Sequence, residues 1–77
     1  MQVTILVFGQ LTDIIHDSPF TIQDVRDTDQ LVQELQERFP ALTGMPYNIA
    51  VEKQIIGSNT PLSNNNTVAL LPPFAGG

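Results

Sequence analysis

Residues 27–40 read DTDQLVQELQERFP, and this stretch repeats apolar residues at clear helical spacing. Leu31, Val32, Leu35 and Phe39 fall on one stripe, which predicts an amphipathic helix with a single buried face. Asp27 can cap its start, and Gln30 three residues later completes a capping-box pattern, with Thr28 as an alternative cap. Glu34 precedes Arg38 by four residues, the favourable orientation for an ion pair along a helix. Pro40 stops the run, because its ring clashes with continued helical backbone. The expected helix has about 11–12 residues and a length of ~17 Å.

On the N-terminal side, Gln2 to Phe8 alternates as a strand, with Val3, Ile5 and Val7 on one face and Leu6 and Phe8 on the other. Gly9 breaks it, Leu11 to Ile15 suits a short helical turn, and Asp17-Ser18-Pro19 is a turn signal. Phe20 to Gln23 alternates again and predicts a second strand beside the first. Past the helix, residues 41–46 read as a loop, and Ile49 and Val51 alternate with Ala50 and Glu52 as a third strand. Ile55 and Ile56 suit a short fourth strand ended by Gly57, and residues 58–66 read as a polar loop. Thr67 to Leu71 is the last strand, closed by Pro72 and Pro73, which cannot donate to a ladder. The order is β-β-α-β-β-β. It places the chain in the α+β class, as a mixed sheet of four to five strands with one main helix on one face, and resembles the ubiquitin-like β-grasp fold. The expected division is a β-grasp domain over 1–71 and an extended tail over 72–77.

Composition narrows the function. A chain of 77 residues is one domain at most, and it buries only ~60% of its unfolded surface. That leaves no room for a deep enclosed active site. Cysteine is absent, which excludes a disulfide scaffold, an iron–sulfur cluster and a cysteine nucleophile. The single histidine, His16, stands beside Asp17 in a turn and reads as a solvated surface residue, so no metal is expected. Eight acidic against three basic residues give a net charge of −5, the wrong sign for a nucleic-acid partner. Asp24, Asp27 and Asp29 gather at the helix start, where they favour its dipole. The first basic residue is Arg26, so no positively charged segment precedes an apolar one. The longest apolar run, residues 68–75, is far below the ~18 residues of a membrane span. The expectation is a cytoplasmic protein with no membrane association and no catalytic site of its own.

Two features remain to be explained. A single helix covers one sheet face, yet both faces carry apolar residues: Val68 and Leu70 oppose Ala69 and Leu71, as Val3, Ile5 and Val7 oppose Leu6 and Phe8. Either a loop or the Leu11 to Ile15 turn folds over the second set, or Leu6, Phe8, Leu71 and Phe74 form a partner-binding face. The second reading is preferred. The other feature is the ending Pro72-Pro73-Phe74-Ala75-Gly76-Gly77. At ~7% glycine usage, two terminal glycines arise by chance in about 0.5% of chains. Six residues past Leu71 reach about 20 Å when extended, enough to enter a partner's buried site. Pro72 and Pro73 lower the entropy lost on threading, and Gly76 and Gly77 pass a narrow channel. The reacting group is then the terminal carboxylate, a poor electrophile until ATP converts it to an acyl-adenylate.

At these residues the chain resembles the small, sulfur-carrying subunits of molybdopterin synthase. The resemblance rests on the ending Leu70-Leu71-Pro72-Pro73-Phe74-Ala75-Gly76-Gly77, on Val7-Phe8-Gly9-Gln10-Leu11, and on Thr60-Pro61-Leu62. It implies that a ubiquitin-activating-type adenylyltransferase adenylates Gly77 with ATP and that the product becomes a thiocarboxylate. It also implies that the tail, through Pro73, Phe74, Ala75 and Gly76, enters the large subunit of a heterotetrameric sulfurtransferase. There sulfur passes to a cyclic pterin precursor during molybdenum cofactor biosynthesis, and this chain binds no cofactor itself. Two positions depart from the family pattern: Asn65-Asn66 stands where Gly-Asp is usual, and Glu52-Lys53 where Asn or Asn-Gly is frequent. The sulfur carriers of thiamine thiazole synthesis share the Gly-Gly end but tend to lack Pro-Pro-Phe. A ubiquitin-like protein modifier is the other alternative; Lys53 is the only lysine, which disfavours chain building on this protein.

Overall fold

The computed structural model describes residues 1–73; Phe74, Ala75, Gly76 and Gly77 lie outside the described residues. The helix α1 spans Thr28–Arg38, with Asp27 as its N-cap in extended backbone. Asp27 Oδ1 accepts from the Gln30 N–H at 2.9 Å, while Gln30 Oε1 reaches one residue further back than a standard box, to the Arg26 N–H at 2.8 Å. Such a cap is worth about 1 kcal/mol. Glu34 pairs with Arg38 at 2.9 Å, both well exposed, so that contact adds only about 0.3–0.5 kcal/mol. Leu31 and Leu35 are fully buried, whereas Val32 and Phe39 are half-buried at the edges of the stripe.

Five strands form one mixed sheet: β1 (Gln2–Val7), β2 (Phe20–Gln23), β3 (Asn48–Val51), β4 (Gln54–Ile55) and β5 (Thr67–Leu71), in the order β2-β1-β5-β3-β4. The central pair β1 and β5 is parallel; β1–β2, β3–β5 and β3–β4 are antiparallel. Strand limits differ from the sequence expectation by one residue. Phe8 leaves β1 to precede a 3₁₀ turn, Glu52 sits in the β3–β4 turn, and Ile56 falls just past β4.

The core lies between the sheet and α1. Val3, Ile5, Val7, Val68 and Leu70 face it from the two central strands, with Leu31 and Leu35 opposite. The 3₁₀ turn Gly9–Asp13 and the residues after it deliver Leu11 and Ile15, 1% and 0% exposed, into this same core. The turn therefore packs with Val3, Ile5 and Val7 and does not cover Leu6 and Phe8. Two segments read as plain loops also contribute. Pro40–Leu42 forms a second 3₁₀ turn that buries Leu42 completely. The polar loop 58–66 is stitched to the helix start. Asn59 Oδ1 accepts from the Asp29 N–H at 2.9 Å, Thr28 and Thr60 exchange bonds at 2.9 Å, and Leu62 is 7% exposed.

Both departures from the family pattern fall where the backbone is left-handed. Val51 pairs with Gln54 across a two-residue turn, and Glu52 and Lys53 take φ of 48° and 72°, the signs of the I′ hairpin that favours Asn-Gly. Asn65 has φ of 67°, and Asn66 Oδ1 accepts from the Ser63 N–H at 2.7 Å. Asn65 thus occupies a position suited to glycine, and the Asn66 carbonyl oxygen does what an aspartate oxygen would do there.

Candidate functional site

Residues directly opposite in a sheet share a face, so the register assigns the side chains turned away from α1. Leu6 pairs with Ala69, Ala69 with Ala50, and Ala50 with Ile55. An apolar row therefore crosses four strands on the open face. Phe8 and Leu71 extend it toward the end of the central pair, where the Phe8 N–H donates to the Leu70 carbonyl at 3.1 Å. Phe8 is 45% and Ile55 61% exposed; Leu6 and Leu71 are half-buried. Leu6, Phe8, Ala50 and Ala69 line a shallow hollow rimmed by the exposed Glu52 and Lys53.

The structure brings together three of the residues expected to bind a partner, Leu6, Phe8 and Leu71, on one uncovered face. Because β1 and β5 run parallel, their C-terminal ends lie side by side, and the segment beginning at Pro72 leaves from the edge where Phe8 stands. Pro73, also expected at the site, is exposed. Phe74, Ala75, Gly76 and Gly77 lie outside the described residues. The strand parity already put Ala69 on this face; the sequence reading missed Ala50 and Ile55 as members of it. Only the β3–β4–β5 register puts Ile55 beside Ala50, and a two-residue strand carries no alternation from which to infer it.

Elsewhere the chain offers little chemistry. Among the described residues no group of three or more His, Asp or Glu side chains is placed to hold a metal ion, and none of the helices is long and apolar enough to cross a membrane. His16 is exposed. Tyr47 is half-buried, and that burial pushes its phenol above the ordinary value.

Comparison with known proteins agrees with this geometry. The molybdopterin synthase sulfur carrier subunit of Mycobacterium tuberculosis is 29% identical over 82 residues, covering 100% of this chain and 99% of that protein. A chain in the solved complex of subunits 1 and 2 of molybdopterin-converting factor from Helicobacter pylori is 33% identical over 100% of both chains, with a TM-score of 0.75. SAMP1 from Haloferax volcanii shares the fold, at 16% identity, a TM-score of 0.80 and full coverage of both chains. The fold is the ubiquitin-like β-grasp. The sequence model of the ThiS family matches residues 5–77, and this chain belongs to that family.

Proposed function

We propose that this chain is the sulfur-carrier subunit of a molybdopterin synthase, with residues 1–71 as the docking body and 72–77 as the reactive tail. The observation that carries the proposal is the parallel β1–β5 pair, which sets an uncovered apolar face and the root of the tail at one edge of the sheet. A partner that grips the face receives the tail beside it. The full-length likeness to the Helicobacter pylori complex of subunits 1 and 2 supports a large subunit as that partner.

In this reading Gly77 presents the carboxylate. A ubiquitin-activating-type adenylyltransferase joins it to AMP from ATP and releases pyrophosphate. A sulfur nucleophile then displaces AMP and leaves a thiocarboxylate. In the large subunit that sulfur bonds to a cyclic pterin precursor, and water hydrolyses the acyl–sulfur bond, which leaves the sulfur on the precursor and regenerates the carboxylate. The chain supplies reach, fit and the reacting terminus, holds no cofactor of its own, and works in the cytoplasm.

The test is intact-mass spectrometry after incubation with the adenylyltransferase, ATP and a sulfur donor. The proposal expects the mass gain of one oxygen exchanged for sulfur. An unchanged mass, or adducts joined to other proteins in its place, contradicts it.

A further inference from the structure

We infer that Gly9 is a positioning residue for the C-terminal tail: the space left by its missing side chain seats the ring of Pro72 and sets the direction in which the tail leaves the sheet. The inference rests on the sulfur-carrier reading above. A β-carbon at residue 9 would lie 2.2 Å from Cγ of Pro72 and 3.2 Å from its Cδ, and Gly9 itself has φ of +63°. By contrast, a β-carbon at Gly44 or Gly57 would meet nothing within 4 Å. The close approach is therefore particular to the tail root among these glycines.

The seat transmits position because a proline ring cannot rotate away from an obstacle. Its Cδ is bonded to the backbone nitrogen, so beyond the small travel of Cγ that ring pucker allows, whatever displaces the ring displaces the chain. The residues before it are held: Leu70 and Leu71 pair with Ile49 and Asn48, and the Leu70 carbonyl accepts from the Phe8 N–H at 3.1 Å. Any shift forced at Pro72 thus appears downstream of Leu71. Pro72 and Pro73 also border a small apolar hollow with Gln10, Leu11, Met45 and Pro46.

Five residues follow Pro72, a reach of about 17 Å when extended. If that reach is held extended, as threading into a site requires, a rotation of about 10° at the root moves its end about 3 Å, against the ~0.5 Å tolerance of a preorganised site. Leu6 and Phe8, the residues proposed to dock on the large subunit, keep their side chains when Gly9 is substituted. A misaimed tail is therefore expected to slow reaction at its terminus in the enzyme that holds the body, the adenylyltransferase included, while binding of the body is retained.

The test is steady-state thiocarboxylate formation with the adenylyltransferase, ATP and sulfide, read by intact mass and accompanied by thermal melts. Gly9→Ala is expected to lower kcat about tenfold or more with little change in KM. Pro72→Gly, which removes the ring from the seat, is expected to lower kcat further than Pro73→Gly, which removes similar stiffness one residue on. In the Pro72→Gly background, adding Gly9→Ala is expected to cost little more. A folded Gly9→Ala protein with wild-type kcat overturns the inference. So does equal loss from the two proline variants, a comparison that stands even if Gly9→Ala does not fold. A wild-type chain that gains no sulfur, in contrast, overturns the sulfur-carrier reading itself.

Discussion

Lys53 shows how a single residue can fit its turn poorly and its surroundings well. At φ of 72° it occupies left-handed backbone, which costs an L-residue about 1–2 kcal/mol. Glycine there relieves the strain and gives back about 0.4–1 kcal/mol through the freer unfolded chain. Lys53→Gly is therefore expected to stabilise the domain by about 0.5–1 kcal/mol, raising Tm by roughly 2–8 °C. An unchanged or lower melting temperature contradicts the assigned turn. Its neighbour Glu52 is a different case, although its φ of 48° is also left-handed. Its carboxylate accepts from the Thr67 N–H, so replacement would exchange backbone relief for a lost bond between the turn and β5. Asn65, at φ of 67°, tolerates the left-handed backbone, and the Asn66 side chain closes the turn by accepting from the Ser63 N–H.

Among the elements, α1 was legible almost to the residue, because cap, stripe and proline stop agree with one another. Leu35 is fully buried at the middle of that stripe, and Leu35→Ala is expected to cost about 2–5 kcal/mol. A denaturant midpoint close to wild type would show that the helix face is wrongly assigned. The strands were legible by alternation, with limits one residue off where Phe8, Glu52 and Ile56 continue the pattern past the ladder. Leu42 and Leu62 were not legible as core. Each is a lone apolar residue near proline and polar turn residues, and burial there depends on the chain folding back, which no local period encodes. The loop 58–66 likewise reads as polar because it is. Its hydrogen bonds to Thr28 and Asp29 appear only once the helix start is beside it.

At the scale of the whole molecule, the sheet has one face on α1 and one face uncovered. The sequence could divide Val3, Ile5 and Val7 from Leu6 and Phe8 by parity, but not say where the Leu11 to Ile15 turn goes. The structure sends that turn into the core and leaves Phe8 and Ile55 exposed and Leu6 and Ala69 half-buried on the other face, around the buried Ala50. Phe8→Asp and Leu71→Asp are each expected to weaken binding to the large subunit by about 2 kcal/mol, roughly thirtyfold, with little change in Tm. Unchanged affinity in a titration, or gross unfolding, would remove this face from the docking site. The central claim concerns the end of the chain, where one added residue moves the carboxylate about 3.3 Å from its place. The most direct measurement compares, by intact mass, thiocarboxylate formation on the chain ending at Gly77 with that on a variant carrying one further residue, confirmed unprocessed. Sulfur on the first and none on the folded, partner-binding second is the predicted result; sulfur on both at the same rate would contradict it.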